Sequence, residues 1–225
     1  MIGTIAIAIL VGSLVGGTLR HGLKKKYQET LYTAMGLAAT GLGINAVIQN
    51  MPNSAYPVLF IASLAIGGVV GTALDLDAHF TNLVTRHSKE GSQLARGLST
   101  GIMLFCIGTL SILGPINSAL YGDETFLFTN AMLDLVTSMV LASTFGYGMA
   151  VAAAALFVWQ SAIYLLALWI APLLTGGLMG EISIVGGVLI LASGLSILKI
   201  KEISTMNLLP ALIVPPLWFA IMAIA

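Results

Sequence analysis

The sequence predicts an all-α integral membrane protein with about eight transmembrane helices. Of its 225 residues, 58% are hydrophobic, and only 8% are charged, against about 25% in soluble proteins. The mean hydropathy is +1.00. A spanning helix needs about 20 mostly apolar residues, and runs of that kind fill nearly the whole chain. We therefore expect a single polytopic transmembrane domain over residues 1–225.

The basic residues predict the topology. All nine Lys and Arg fall in three clusters, at 20–26, 86–96 and 199–201. Because cytoplasmic loops are enriched in Lys and Arg, we expect all three clusters inside, with an even number of spans between each pair and both termini outside. The eight predicted spans, numbered one to eight, are 2–19, 30–49, 56–74, 98–116, 126–143, 149–173, 182–198 and 206–224.

Span one is expected to be retained, because its basic group follows the apolar run, whereas a signal peptide has its basic residues first. It carries Gly12 and Gly16, and span three carries Gly67 and Gly71. This GxxxG spacing lets helices approach closely. We expect the two glycine pairs to serve packing, and they favour a homodimer.

Two short segments suggest an inverted repeat. "ATGLGI" at 39–44 in span two resembles "ASGLSI" at 192–197 in span seven, with four of six positions identical. The topology makes these two spans run in opposite directions, so spans one to three would pair with spans six to eight. Inverted repeats recur in secondary transporters, with binding sites near the midplane.

Residues 75–97 are too polar to span the membrane. Apolar side chains recur there at helical spacing, with charged residues on the other face, which predicts an amphipathic helix on the inner membrane surface. The residues that recur on the apolar face are Leu76, Phe80, Leu83, Val84 and His87. A connecting helix is the simplest interpretation, and a lipid or partner site is the alternative.

Span four contains "GPINSALYGD" at 114–123. Pro115 lacks a backbone donor and Gly114 loosens the chain, which predicts a broken helix in the middle of the protein. Backbone groups at such a break can bind ions when they line a cavity, so Asn117 is a candidate ligand. An ordinary helix exit at Gly122 and Asp123 is the alternative. Asn45 in span two is a further polar candidate.

Span five places one carboxylate among apolar residues. Asn130, Asp134, Thr137 and Ser138 have spacings of four, three and one, which put them on one side of a helix. An ionised carboxylate is costly in hydrocarbon, so such residues often mark an ion or substrate path. No span contains Lys or Arg to pair with Asp134, which favours a bound cation, a proton or neighbouring hydroxyls. A structural hydrogen-bonding role is the alternative.

"TFGYG" at 144–148 looks like a potassium-channel filter. It follows a full-length span and falls on the predicted cytoplasmic side, whereas a filter is approached from outside after a short pore helix. We interpret it as a tight interhelical turn in which Gly146 and Gly148 permit positive φ. An ion channel is therefore only a distant third function.

The sequence predicts no enzyme. It contains no HExxH, no GxSxG and no phosphate loop, and we expect no cofactor, no bound metal and no nucleic-acid partner. Cys106 is the single cysteine, which excludes an intrachain disulfide and a cysteine-based metal cluster.

Two central motifs, "CIGTLSILGPINSALYGD" and "LDLVTSMVLASTFGYG", resemble the YqgA/YdfK-like family of bacterial inner-membrane proteins of unknown function. The segments "GSLVGGTLR", "SLAIGGVVGTALDLD" and "NLLPALIVPP" extend the resemblance over essentially the whole chain. The resemblance implies a multi-pass protein of the bacterial cytoplasmic membrane and implies no substrate.

The sequence favours a small ion-coupled secondary transporter of an unidentified solute or ion, with Na⁺ or H⁺ as the coupling ion. The candidate ligands are Asp134, Thr137, Ser138, Asn130, Asn117 and Asn45. The alternative is a non-transporting sensor or assembly factor that binds partners through residues 75–97.

Overall fold

A computed structural model describes residues 3–19, 24–85, 98, 101–102, 105–106, 109–171 and 176–224. Within these ranges the regular structure is helical throughout, because long apolar runs satisfy their backbone polar groups internally only as helices. The helices are α1 Gly3–Thr18, α2 Lys25–Asn50, α3 Leu59–Ala73, α4 Leu76–Thr85, α5 Thr109–Tyr121, α6 Thr125–Phe145, α7 Ala152–Ile170, α8 Gly176–Ile197, α9 Thr205–Leu208 and α10 Val214–Ile224. Short 3₁₀ segments occupy Met51–Asn53, Tyr147–Val151 and Leu209–Ile213.

Five stretches are long and apolar enough to cross a membrane: Lys25–Asn53, Thr125–Phe145, Tyr147–Trp169, Gly177–Ile197 and Thr205–Met222. Two shorter apolar helices, α1 and α3, coincide with predicted spans one and three. The all-helical membrane class is therefore confirmed. The count of eight spans, the outside location of both termini, the inverted repeat and the single domain stay predictions.

The chain divides into two compact units. Unit 1 consists of Met1–Tyr32 and His79–Ala171, and unit 2 consists of Thr33–Ala78 and Pro172–Ala225. Each unit thus combines an early and a late part of the sequence. Asp134 lies in unit 1, so the packing of unit 1 positions the candidate site.

In unit 1, α1 lies directly on α6. A Cβ at Gly12 would overlap Ser138 Oγ and the Leu135 carbonyl, and a Cβ at Gly16 would overlap the Met139 carbonyl. The residue numbers rise together along both helices, so the helices are parallel. The first GxxxG pair therefore serves packing within the chain, as predicted.

The core of unit 1 continues from this contact toward the start of α1. Ile5 and Ile9 are fully buried, and they pack in one cluster with Leu127 and Ala131 of α6. The cluster extends to Phe105 and Cys106 and to the beginning of α7, at Ala152, Ala153 and Leu156. An apolar core thus surrounds the buried side of α6.

In unit 2, α2 and α8 pack closely and run antiparallel. A Cβ at Gly43 would lie 2.5 Å from the Leu191 nitrogen and 2.6 Å from the Gly187 carbonyl oxygen, and a Cβ at Gly194 would lie 2.7 Å from the Thr40 nitrogen. Rising numbers on α2 therefore meet falling numbers on α8. The two similar segments, 39–44 and 192–197, lie within this contact.

The second glycine pair serves the other contact of unit 2. Gly67 and Gly71 of α3 meet the backbone of Ala211 and Asn207 in the last apolar stretch. This stretch changes from α9 to 3₁₀ at Leu209–Ile213 and back to α-helix in α10. Pro210 lies at the start of that 3₁₀ segment, where a proline needs no hydrogen-bonded amide.

The predicted break at Gly114 and Pro115 is absent, because α5 continues through Pro115 to Tyr121. A proline removes one backbone hydrogen bond, and here α5 is held against α6, where a Cβ at Gly114 would lie 3.1 Å from Leu127 Cδ2. The chain leaves the helix at Gly122, which has a φ of +67°. The ordinary helix exit is therefore the correct alternative.

The "TFGYG" segment is a short turn between helices, as predicted. Helix α6 ends at Phe145, Gly146 adopts a φ of +87°, and a 3₁₀ segment begins at Tyr147. Positive φ is favourable for glycine because it has no Cβ. Gly148, however, lies inside the 3₁₀ segment without positive φ, so only the first glycine has the expected role.

The predicted amphipathic helix begins as expected. Helix α4 covers Leu76–Thr85 and follows a turn at Asp75 with a φ of +47°. Its first backbone amide after Leu76, that of Asp77, donates to Asn207 Oδ1 at 2.9 Å. The remainder of the prediction, residues 86–97 with His87, lies outside the described residues.

Candidate functional site

The candidate site is built on the buried side of α6. Asp134 is only 5% exposed, and it lies about 14 Å from the start of the helix at 1.5 Å per residue. The Asn130 amide, one turn earlier, is 4% exposed and donates to Asp134 Oδ2 at 2.9 Å. The spacing of four residues placed the two side chains on one face of the helix, and the hydrogen bond joins them there. Asp134 therefore lies near the middle of a helix that is long enough to span a membrane.

The charge on Asp134 has little compensation. Asn130 is its one hydrogen-bond donor in the part of the chain that the structure describes. Cys106 belongs to the same buried cluster as Ala131, the residue one turn before Asp134. The other lining side chains nearby, such as Leu127 and Ala131, are apolar. Water solvates an ionised carboxylate far better than such surroundings do, so the site favours any state in which a positive charge accompanies Asp134.

Ser138 and Thr137 extend the polar surface of α6 by one turn. Ser138 is fully buried, and its hydroxyl donates to the Leu135 carbonyl at 3.0 Å. Thr137 is partly buried and lies near the side chain of Tyr32 on α2. Both residues thus lie beside Asp134 along the helix, and Ser138 also faces Gly12 of α1.

The two remaining predicted ligands are not joined to this group. Asn117 lies beyond Pro115 on the continuous helix α5 and is partly buried, and in the part of the chain that the structure describes no hydrogen bond joins it to Asp134. Asn45 belongs to unit 2, where it is exposed and accepts a 3.4 Å hydrogen bond from Gln49. The broken-helix argument for Asn117 therefore loses its basis, and Asn45 lies on an exposed surface of α2.

Three buried polar residues of unit 1 were missed by the sequence reasoning. Ser13, Ser111 and Gln160 are all fully buried. The Gln160 amide donates to Ser111 Oγ at 3.3 Å, which joins α7 to α5. Neither Ser13 Oγ nor Gln160 Oε1 has a hydrogen-bond partner among the described residues. Such uncharged residues are common in spans, and only their burial reveals them.

Unit 2 contains a second buried carboxylate. The predicted span seven, 182–198, leaves Glu181 in the loop before it, but the residue lies inside α8 and is only 1% exposed. Its Oε1 accepts hydrogen bonds from Ser54 Oγ at 2.6 Å and from the Tyr56 backbone amide at 3.0 Å. The Tyr56 ring in turn packs edge-on against Trp218 and Phe219. Two good donors make this carboxylate a structural anchor for the loop before α3.

The described residues contain no group of three or more His, Cys, Asp or Glu that could hold a metal ion. Asp134 has one neutral amide and nearby hydroxyls instead.

Comparison with known proteins identifies the family. Residues 2–220 match the family described as protein of unknown function (DUF554). The chain belongs to this family. This DUF554 chain is 56% identical over 218 residues to "Uncharacterized membrane protein YdfK" of Bacillus subtilis (strain 168), which covers 96% of the chain and 94% of that protein.

A second relative is more distant. The DUF554 chain is 31% identical over 231 residues to "Uncharacterized protein YqgA" of Escherichia coli (strain K12), with 96% of the chain and 97% of that protein covered. No solved structure matches. The family resemblance seen in the sequence motifs is confirmed, and the name of the first relative agrees with a membrane location.

Proposed function

We propose that this DUF554 protein is a small ion-coupled secondary transporter in which Asp134 carries the coupling ion, either a proton or a monovalent cation. The observation that carries the proposal is a carboxylate, 5% exposed, near the middle of an apolar helix with one neutral hydrogen-bond donor. Ionisable residues inside spans usually mark ion paths because their burial is expensive.

A purely structural role explains this residue less well. Removing an ionised carboxylate from water costs several kcal/mol unless a partner charge or several hydrogen bonds compensate. Glu181 accepts hydrogen bonds from two donors, whereas Asp134 receives one. An asparagine at position 134 would still accept the hydrogen bond from Asn130 without burying a charge, so the carboxylate is best explained by its charge.

The charge also supplies a mechanism for coupling. When Asp134 is ionised and empty, conformations that admit water to the site are favoured, because water compensates the charge. When a proton or cation neutralises it, closed conformations become inexpensive. Ion binding therefore shifts the balance between open and closed states, and only a ligand that binds these states differently can do so. A solute that binds one of those states would be transported with the ion.

The test is ion flux in liposomes that contain the purified full-length protein. We expect uptake of radioactive sodium, or a proton flux followed with an internal pH dye, and we expect Asp134→Asn to abolish it. Asparagine keeps the size and hydrogen-bonding capacity of aspartate but removes the charge. The matched control is Asp123→Asn, because Asp123 is exposed and caps the Thr125 amide, a role that asparagine performs equally well.

Flux through Asp134→Asn at the rate of the parent would contradict the proposal. Absence of both fluxes in the parent would favour the alternative, a sensor or assembly factor that acts through partner proteins. In that case the helix predicted over 75–97 becomes the surface to test.

A further inference from the structure

Two fully buried oxygen atoms in unit 1 accept no hydrogen bond from the described part of the chain. Ser13 Oγ and Gln160 Oε1 are both in residues of 0% exposure, and neither has a hydrogen-bond partner in the described ranges. A buried polar atom without a partner costs free energy, and in a native protein it calls for an explanation. Both atoms lie in the same unit as Asp134.

Helix contacts place Ser13 on one side of Asp134. Gly12 faces Ser138 Oγ and the Leu135 carbonyl, and Ser13 is the next residue of α1. Ser13 is therefore level with the turn of α6 that follows Asp134 in sequence. Ser13 itself is fully buried.

The pair Ser111–Gln160 lies on the other side. Helices α5 and α6 are joined by three residues, so they are antiparallel neighbours, and Gly114 faces Leu127. Ser111 lies three residues before Gly114 on α5, and Asn130 lies three residues after Leu127 on α6. Because the helices are antiparallel, Ser111 and Asn130 are at the same level. Gln160 is bonded to Ser111. Along the axis of α6, the level of Asp134 therefore lies between that of Ser111 with its partner Gln160 and that of Ser13.

We propose that these side chains form one cation pathway through unit 1, with Asp134 in the middle and the neutral oxygens of Ser13 and Gln160 on its two sides. The inference rests on the proposed function and names its ion as sodium. One carboxylate balances one positive charge, whereas a divalent ion would leave an unpaired buried charge. Hydroxyl, amide and carboxylate oxygens are the ligands that hard cations prefer.

The order of the groups explains how an ion could pass. The pathway extends over about 12 Å, the length of eight helical residues between Asn130 and Ser138. A sodium ion that leaves the carboxylate needs other oxygens at once, because the surrounding core is apolar. An unpartnered oxygen on each side supplies them without first breaking a hydrogen bond within the protein.

The experiment measures sodium binding to the full-length protein in detergent from the rise in its unfolding temperature. Sodium chloride is titrated against choline chloride at constant ionic strength, since a ligand that binds the folded state stabilises it. We expect Ser13→Ala and Gln160→Met each to weaken sodium binding about tenfold. Each variant removes one oxygen ligand, and losing it should cost about as much free energy as losing one hydrogen bond. Asp134→Asn should remove the sodium effect entirely.

The matched control is Ser63→Ala. Ser63 is as fully buried as Ser13, but it lies in unit 2 and its hydroxyl is bonded to the Leu59 carbonyl at 2.8 Å. It should keep the parent's sodium affinity. Without sodium, Ser13→Ala should unfold at the parent's temperature or above it, because it removes a hydroxyl that has no partner. A weaker sodium effect in that variant is then not a folding defect.

Each result separates this inference from the function on which it rests. If Asp134→Asn loses the sodium effect while Ser13→Ala and Gln160→Met keep it, the pathway is wrong and the role of Asp134 stands. If the parent does not respond to sodium, the sodium inference is overturned, and the proton flux in liposomes still decides whether the protein is a transporter.

Discussion

At the scale of single residues, the two buried carboxylates of the described chain are held in different ways. Glu181 accepts a hydroxyl and a backbone amide through one oxygen. Asp134 accepts a single side-chain amide from the preceding turn of its own helix. The hydrogen bonds of Glu181 connect the loop before α3 to α8. The single hydrogen bond of Asp134 leaves most of its negative charge uncompensated by the described residues. Glu181 is therefore explained by its structural contacts, whereas Asp134 is explained best by the ion-carrying role that we propose for it.

The difference is testable by substitution of Glu181. We expect Glu181→Ala to lower the free energy of unfolding by about 3 kcal/mol, because two donors lose an acceptor that is a charged group. Glu181→Gln should cost only about 1 kcal/mol, since its amide oxygen still accepts. Denaturant unfolding of the detergent-solubilised protein measures both. Equal effects of the two variants would show that the hydrogen bonds to Oε1 are not what Glu181 contributes.

The polar face of α6 could be predicted because it depends only on helical periodicity. Asn130 and Asp134 are four residues apart, and the structure joins them. Ser13, Ser111 and Gln160 could not be predicted, because their burial and their partners depend on contacts between helices. Glu181 was misplaced for a related reason: hydropathy starts a span after a charge, whereas the donors of the Ser54–Tyr56 loop keep this charge buried within the helix.

At the scale of helices, glycines decide which surfaces touch. On α2, Gly43 faces the backbone of α8, with a Cβ position only 2.5 Å from the Leu191 nitrogen. Gly41, two residues earlier, has no atom within 4 Å of its Cβ position. The spacing of small residues predicts close packing, and the contacts show which glycine provides it.

These two glycines form a matched pair for a stability experiment. We expect Gly43→Ala to destabilise the protein by about 2 kcal/mol, because the added methyl meets backbone atoms that cannot rotate away. Gly41→Ala should stabilise it by up to about 1 kcal/mol, since alanine favours a helix more than glycine does. Thermal unfolding in one detergent compares them. A larger loss for Gly41→Ala than for Gly43→Ala would mean that α2 and α8 are not packed as described.

The glycine pairs also change the argument for a homodimer. Gly12 and Gly16 contact α6, and Gly67 and Gly71 contact the last apolar stretch. Both pairs are therefore occupied within the chain. A homodimer stays a prediction, but its interface would have to use other surfaces, so Gly12 and Gly67 are not the residues at which to test it.

At the scale of the whole molecule, the predicted eight-span topology stays a prediction. It fixes the relative direction of the spans, and the structure agrees with it for one pair of helices. The order of spans requires any two odd-numbered spans to run in the same direction. Helices α1 and α6 correspond to spans one and five, and they are parallel in unit 1.

The helical class could be predicted from composition, because a helical membrane class follows from overall hydropathy. The break predicted at Pro115 was wrong, because packing against α6 keeps α5 continuous.

Site-directed labelling tests this topology. In a variant that lacks Cys106, the chain's only cysteine, we expect a cysteine at Lys25 to resist a membrane-impermeant maleimide added to intact cells. A cysteine at Asp123, which is exposed at the connection after α5, should react. The reverse pattern would place the basic clusters outside and invert the whole scheme, and the inverted-repeat prediction would lose its premise.

The central claim is that a cation or proton occupies the Asp134 carboxylate, and carbodiimide labelling tests it most directly. Dicyclohexylcarbodiimide is an apolar reagent that attaches to protonated carboxyl groups, and mass spectrometry of the digested protein identifies the modified residue. We predict that Asp134 is labelled, that sodium slows this labelling, and that more sodium is needed at lower pH, because proton and cation compete for one carboxylate. Sodium should not alter labelling of Glu181, which serves as the internal control. Labelling of Asp134 at a rate independent of sodium and of pH would contradict the account.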